Sequence, residues 1–433
     1  MCNISADQIK QILFSEINAL LDQRDRFLVN PLSDFTRTKK LSFEQTILFP
    51  MIAASGDIAN ELLDFIGEEN LPLPSAMVQR RNQVKPEAFI ELFNRFTSHM
   101  PLSKTFNGYQ LVACDGSRIN LPYNPSDEYS FMQCISGRKG INQVHLNALY
   151  DTLNDTFIDA QIQSVHSMDE KRACCHFLDK YADLDLKRIY IADRGYASYN
   201  VFAHAIHNRQ LFLIRVSESY AKGICPDDHT FLLDEQVDKE ISLNIGRRRS
   251  KKFVQLENYH YLSSSRNYDY AAPMTSEIDT LKLRILKFPI SESTYEYIVT
   301  NLPMHMFTSE MIKRIYFLRW NEETAFRHLK YAGNMVHLHS LKKEFIIQEI
   351  YAKLTLYNFS SFINSSVENA ERRTGKYLYV KNHTQVQKLC IRFLKRKIQD
   401  IKSLIVRYLV PVRPGRTFGR NIRRQSADTL AYR

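Results

Sequence analysis

Tyr316, Arg319, Glu323 and Lys330 stand at a spacing that chemistry can use, within the run Tyr316-Phe-Leu-Arg-Trp-Asn-Glu-Glu-Thr-Ala-Phe-Arg-His-Leu-Lys330. On a helix turning about 100° per residue they fall inside an arc of about 60°, along about 21 Å of axis. Arg327 joins that face, and Ile315, Leu318, Ala325 and Leu329 fall opposite. One carboxylate in a row of cations, beside an aromatic ring, suits a helix that holds a metal ion and grips phosphates. Read locally, the same pattern is the solvated charged face of an amphipathic helix. Glu322 falls on the apolar side of the wheel, which leaves Glu323 as the ligand, and Trp320, the sole tryptophan, lies on the polar side.

Two further carboxylates tip the balance. The apolar run Tyr109–Cys114 ends in Asp115-Gly116-Ser117, and Arg188–Ala192 ends in Asp193-Arg194-Gly195-Tyr196. An aspartate at a strand end is commonly a cap or turn residue. In an open α/β sheet it is also where functional side chains emerge. Asp115, Asp193 and Glu323 together are three hard oxygen donors without a His or Cys partner. Such a set suits Mg²⁺, or Mn²⁺, rather than zinc. Two such ions can activate an attacking oxygen and stabilise the leaving oxygen of a phosphodiester. Arg319, which binds bidentately, and Lys330 would then clamp phosphates.

The chain that must position these groups is long enough for two or three domains. It has 433 residues, 44% hydrophobic and 24% charged, with only 27 glycines and prolines, so well-formed elements are expected. The N-terminus has no basic segment followed by an apolar core, so no signal peptide is expected. The longest near-apolar run, Ile47–Ala54, is too short for a bilayer and contains Pro50. The seven cysteines form no CxxC pair, and Cys174-Cys175-His176 is too tight for zinc, so reduced thiols inside the cell are expected. The net charge of +11 is uneven. Residues 371–433 carry 17 Lys and Arg against three acids, a net of +14, leaving −3 for the rest. With Tyr377, Tyr379, Phe393, Tyr408 and Phe418 interleaved, that end reads as a polyanion-binding region rather than a solubilising tail.

Residues 1–104 read as helices. Ser5 or Asp7 caps the first, Ser42-Phe-Glu-Gln45 is a capping box, and Ser75 opens a short helix with Arg80, Arg81 and Lys85. That basic helix suggests a DNA-binding unit, with a plain helical subdomain as the alternative. From about 105 the period changes to strands at Tyr109–Cys114, Val144–Tyr150, Thr156–Val165, Arg188–Ala192 and Leu211–Val216, with helices between, which indicates a mixed sheet with helical cover. Residues 217–292 read as a β-rich insertion with strands at Ile241–Ile245, Phe253–Leu256 and Leu281–Phe288. Its basic run, Gly246-Arg-Arg-Arg-Ser-Lys-Lys252, reads as a hairpin tip. Tyr295–Leu302 returns as a strand, the polar-faced helix follows, and Lys342–Ile363 is one more long helix.

D-G-S after one strand, A-D-R-G-Y after another, and Y-(2)-R-(3)-E-(6)-K on a late helix together resemble the DDE transposases of bacterial insertion sequences. The group resembled carries a β-insertion between the second Asp and the Glu. The 130 residues from Asp193 to Glu323 leave room for it, and Thr300-Asn-Leu-Pro303 and Arg413-Pro-Gly-Arg416 are also similar to this group. The resemblance implies an RNase H-like core in two parts, 105–216 and 293–366, interrupted by the insertion at 217–292. A helical domain at 1–104 that binds transposon ends and a basic region at 367–433 flank it. It implies Asp115, Asp193 and Glu323 as ligands of two Mg²⁺ or Mn²⁺ ions. Tyr316, Arg319 and Lys330 are implied on the DNA near the scissile bond, and Arg194, Arg327, Arg247, Arg248 and Arg249 are the further cations expected there. The implied reaction is cut-and-paste transposition by hydrolytic nicking, a hairpin at the transposon end, its resolution, and strand transfer. The implied partners are double-stranded DNA, as terminal inverted repeats and target, and a second copy of the chain on DNA, in the bacterial cytoplasm at the nucleoid. Two departures stand out: Glu322 replaces an apolar residue, and the insertion has no tryptophan to probe a base. A nuclease of the same fold and a DNA-binding protein that has lost catalysis are the competing readings.

Overall fold

The computed structural model describes residues 4–37, 40–54, 56–133, 139–225, 236–250, 253, 255–291, 294–367, 372–374 and 377–413. Ser5 and Ser42 open α1 (Ala6–Asp22) and, after the single turn α2 (Arg24–Phe27), α3 (Phe43–Ile52). Both use reciprocal capping boxes, with Gln8 and Gln45. Each box satisfies amides that the first turn leaves without partners. Asp57 caps α4 (Ile58–Ile66). Pro74 and Pro86 occupy the first positions of α5 (Pro74–Asn82) and α6 (Pro86–Ser98), where a missing N–H costs nothing. Helix α5 therefore begins one residue before the Ser75 expected to cap it.

The sheet strands are β1 (Gln110–Leu121), β2 (Phe131–Met132), β3 (Ile141–Asp151) and β4 (Thr156–Ser164), followed by α7 (Glu170–Lys180) and β5 (Arg188–Ala192). Next come α8 (Tyr199–His207), β6 (Leu211–Val216), α9 (Glu218–Ile224), β7 (Val237–Gly246), β8 (Tyr259–Tyr261), β9 (Ile278–Ser291) and β10 (Thr294–Thr300). They form one mixed sheet in the order β2-β3-β1-β5-β6-β10-β9-β7-β8, with β4 on β3. Strands β1, β5 and β6 run parallel and β10 returns antiparallel to β6. The strands of the expected insertion therefore extend this sheet, because β9 pairs with β10 and β7 with β9.

Among the described residues the expected hairpin around the basic run is not formed. The partner of β7 is β9, Phe253–Leu256 makes no strand among its described residues, and β8 lies parallel to the end of β7.

Beyond the sheet lie α10 (Ser309–Phe317), α11 (Trp320–Tyr331), α12 (Lys343–Ser366), β11 (Arg372–Thr374), β12 (Tyr377–Val380), α13 (His383–Leu394), α14 (Ile401–Arg407) and β13 (Val410–Val412). Helix α12 is buried along almost its whole length. It shares one apolar core with α1, α3, α6, α13 and the β3–β4 face of the sheet. Among the described residues α1, α2, α3 and α6 thus share the main core, while Leu41, Phe49, Ala53, Leu62 and Met77 form a small cluster of their own. The basic residues of α5 face inward. Arg81 Nη1 sits 2.8 Å from Glu349 of α12, its Nε donates to Gln348 and its Nη2 to the Phe345 carbonyl. Arg80 is buried with its guanidinium over the Phe35 ring. Arg80 and Arg81 are therefore held inside the fold, Arg81 with the carboxylate and carbonyl partners that a buried cation needs to offset its lost hydration.

The five described cysteines, Cys114, Cys174, Cys175, Cys225 and Cys390, are free and buried; Cys2 and Cys134 lie outside the described residues. So do Lys251 and Lys252 of the basic run, and Arg416 and Phe418 of the basic end. Among the described residues no helix is long and apolar enough to cross a membrane.

Candidate active site

Strand register brings the two aspartates together. Cys114 of β1 pairs in parallel with Ala192 of β5, and Asp115 and Asp193 each stand one residue further on. Neighbouring strands lie about 4.8 Å apart. Strand β1 is buried from Gln110 through Cys114 and opens at Asp115, while β5 is buried over its last four residues up to Asp193. Each carboxylate is held by a following glycine amide: Gly116 N–H donates to Asp115 Oδ1 at 2.8 Å, and Gly195 N–H to Asp193 Oδ1 at 2.7 Å.

The third carboxylate comes from α11. The expected single helix from Tyr316 to Lys330 is two helices. Amides of Leu318, Arg319, Asn321 and Glu322 bond carbonyls three residues back rather than four, so the chain tightens into a 3₁₀-like joint. Tyr316 ends up on α10, with Glu323 and Lys330 on α11. Glu322 and Glu323 occupy the first turn of α11, where the amide dipoles favour negative charge. The two then part company. Glu322 is fully buried against Cys114 and Asp115, whereas the Glu323 side chain is 41% exposed.

Arg319 governs Glu323. Its Nη2 lies 2.9 Å from Glu323 Oε1, and its guanidinium lies over the rings of Trp320 at 4.9 Å and Tyr316 at 5.8 Å. Burial works against the Arg319 charge, but Tyr316, Glu323 and Asp115 outweigh it and raise its pKa. Tyr316 and Arg319 are both buried, and Arg319, lying over the Tyr316 ring, holds Glu323. Burial pushes the Asp115 carboxyl up to about 6, the Gly116 amide and Arg319 oppose this, and the Asp193 and Glu323 charges add to it. Burial also lowers the Lys330 ammonium, with Asp115 partly restoring it. Burial and Asp115 push Glu322 well above the usual carboxylate range, and its carboxyl reaches only the Asp115 backbone, outside good hydrogen-bond geometry. Glu322 is therefore biased toward its neutral form and packs as part of the core.

A divalent ion fits the donor chemistry of this site. Asp115, Asp193 and Glu323 are hard oxygen donors, and the Asp193 and Glu323 charges add to the burial that raises the Asp115 carboxyl, a load that a bound cation would relieve. They do not meet at ligand distance. Among the described residues, no three His, Cys, Asp or Glu side chains converge tightly enough to hold a metal, and Glu323 is engaged with Arg319.

The expected DNA-contacting cations divide. Arg194, Arg248, Arg249 and Arg327 are exposed and Lys330 is half-buried. Arg247 is not available. It donates to the carbonyls of Ala271, Ser263, Arg266 and Tyr268 at 2.7–3.1 Å and is buried. As placed, it pins the loop after β8. Only the full cross-chain placement reveals this, since in the sequence Arg247, Arg248 and Arg249 look alike.

That loop walls a cavity of about 750 Å³ beside the Asp193 turn, lined by Ser198, Tyr199, Arg172, Tyr220 and Arg266 among others. Tyr199 packs between Tyr220, at 5.2 Å, and His260, at 4.6 Å. Sequence reasoning missed these residues, along with Glu170 and His145. The glycines of D-G and D-R-G were the one signal that a side chain presses on both aspartate turns.

The family model for the transposase DDE domain matches residues 106–359, and the chain belongs to that family. A solved structure, piggyBac transposase in a synaptic complex with hairpin DNA, is similar over 94% of this chain and 84% of that one, at 8% identity and a TM-score of 0.43. No curated protein matches the chain in sequence.

Proposed function

We propose that this transposase is that of a bacterial insertion sequence, in the group with the Y-(2)-R-(3)-E-(6)-K signature, and that it moves DNA by cut-and-paste. The observation that carries this reading is the register of β1 and β5, which sets Asp115 and Asp193 side by side with α11 packed against them. Residues 105–216 and 293–366 would be the RNase H-like core, and Asp115, Asp193 and Glu323 the residues that hold Mg²⁺ or Mn²⁺. Bound ions would supply charge stabilisation to the attacking and leaving oxygens. The chain's own residues do the rest. The Gly116 and Gly195 amides fix the two aspartates, and Arg319, braced by Tyr316 and Trp320, fixes Glu323. Lys330, Arg327 and Arg194 would meet phosphates, and the exposed Arg248 and Arg249 would meet flanking DNA. In the first step a water oxygen would bond to phosphorus and the P–O3′ bond would break, leaving a 3′-hydroxyl. That hydroxyl would then bond to a phosphorus of the opposite strand, whose P–O3′ bond would break to release the flanking DNA with a 3′-hydroxyl and close a hairpin; a second water would reopen the hairpin, and the regenerated 3′-hydroxyl would bond to a target phosphorus as that P–O3′ bond breaks. The cationic, aromatic cavity beside Asp193 supports handling of an unpaired nucleotide during the hairpin step, in place of the absent tryptophan. Holding two ends together calls for a dimer on DNA.

The test is cleavage of duplex DNA bearing the element's terminal inverted repeats, in Mg²⁺, by the full chain. Wild-type protein should nick at the repeat end, and Asp193→Ala should lose cleavage while keeping end binding within about threefold. Cleavage that survives in Asp193→Ala would sink the assignment.

A further inference from the structure

Glu170, which no part of the proposed chemistry uses, occupies the space between the two aspartate turns. It stands at the first position of α7, whose N-cap Asp169 accepts from the Arg172 amide. Its Oε1 lies 3.1 Å from Nε2 of the buried His145 on β3. A Cβ built on Gly116 would sit 2.8 Å from Glu170 Oε1 and closer still to His145 Nε2. A Cβ built on Gly195 would sit 3.9 Å from Glu170 Oε2 and 2.9 Å from Asp193 Oδ1. These are the same two glycines whose amides hold Asp115 and Asp193. One side chain thus lies tight beside Gly116 of β1 and at contact distance from the Gly195 position, next to the two amides that grip the site carboxylates.

We propose that Glu170, seated on His145, is a positioning residue that sets the separation of Asp115 and Asp193 by packing against Gly116 and Gly195. Glycine stands at 116 because any side chain there would meet the Glu170–His145 pair, and glycine at 195 because a Cβ would displace the Asp193 carboxylate. Three parts of the chain are locked by this contact. His145 lies on β3, opposite Arg118 of β1, Glu170 opens α7, and α7 packs on β1, β3 and the turn after Asp193. Removing the wedge leaves a gap between the turns, and a misplacement of about 1 Å in a catalytic group costs about 10²-fold in rate.

The inference rests on Asp115 and Asp193 being the site carboxylates, so its test reads out in more than one way. Four full-length variants are compared with wild type: Glu170→Ala, Glu170→Gln, Gly116→Ala and the double variant Gly116→Ala/Glu170→Ala. Glu170→Ala should lower kcat for end cleavage about 10²-fold and leave KM for the DNA within twofold. Glu170→Gln, which can still hydrogen-bond His145, should keep at least a third of the wild-type rate. Gly116→Ala should be inactive and melt about 2–4 °C lower, and adding Glu170→Ala, which opens the space into which the nearer His145 ring can turn away from the new Cβ, should restore both melting temperature and at least a tenfold part of the lost rate. Calorimetric titration with Mn²⁺ should show the same order of affinities. Wild-type rates in Glu170→Ala, or a double variant no better than Gly116→Ala in rate and in melting, would overturn the proposal. If wild-type protein cleaves nothing, the functional reading fails, and the melting cycle with the Mn²⁺ titration still decides whether Glu170 packs on these glycines. A Glu170→Gln variant as inactive as Glu170→Ala, with a raised Mg²⁺ requirement, would make Glu170 a ligand and refute the positioning role.

Discussion

Replacing Arg247 and replacing Arg249 should give opposite phenotypes, although the two residues are near neighbours of the same type. Arg247 donates four hydrogen bonds to carbonyls of residues 263–271 and is buried, whereas Arg249 is exposed with its guanidinium 4.8 Å over the Tyr261 ring. A hydrogen bond from a charged donor is worth about 1.5–3 kcal/mol net, so four set a ceiling of about 6–12 kcal/mol. Water entering the vacated site would re-solvate several of the carbonyls, which brings the expected loss for Arg247→Ala to about 3–4 kcal/mol. The loss should be local, in the loop that walls the cavity beside Asp193. Hydrogen exchange of residues 259–271 should therefore speed up by more than about 10²-fold, since each 1.4 kcal/mol is a factor of ten. Arg249→Ala should leave that exchange alone and reduce the slope of log affinity for DNA against log salt by about 0.9. Unchanged exchange in Arg247→Ala, together with a shallower salt slope, would show that Arg247 faces DNA and that the loop is held some other way.

Two further expectations concern the acidic groups. The folded Asp115 carboxyl is raised from 3.8 to about 6, so the fold favours its protonated form, and the stability it contributes is lost as pH rises from 3.8 through about 6. A divalent ion must displace that proton below pH 6, so Mn²⁺ affinity measured by calorimetry should fall about tenfold per pH unit there, and a flat affinity between pH 5 and 7.5 would refute the placement of Asp115 at the metal. Glu322→Gln and Glu323→Gln should also separate. The first should retain cleavage and gain stability over wild type by about 1.4 kcal/mol per pH unit above the unfolded value, because the raised Glu322 carboxyl loses its contribution as pH rises. The second should abolish cleavage, and the reverse result would exchange the two roles.

Much of the site was legible without coordinates because it is written in local patterns. The capping boxes at Ser5 and Ser42 and the prolines opening α5 and α6 act within one helical turn. The helical wheel put Glu322 inside and Glu323 outside because both lie on the same helix, α11. The wheel failed at Tyr316 for an equally local reason: the tightened joint at 318–319 breaks the 3.6-residue period on which the wheel depends.

The sequence by itself determined the chemistry available here. It specified three oxygen donors, one just past a strand end, one on a strand that continues through it and one on a helix, with an arginine one turn before the last of them and glycines after both aspartates. Tertiary structure alone decided which groups meet and which cations stay free. Parallel register between β1 and β5 puts Asp115 beside Asp193, across 78 residues of chain. Arg81 finds Glu349 at a separation of 268 residues, Arg247 finds carbonyls 16–24 residues on, and Glu170 finds both glycines. The reason is physical. Caps and periodicity depend on neighbours within about four residues. The fate of a charged side chain depends on whether folding brings a partner to it before it is cut off from water, and no local pattern carries that information.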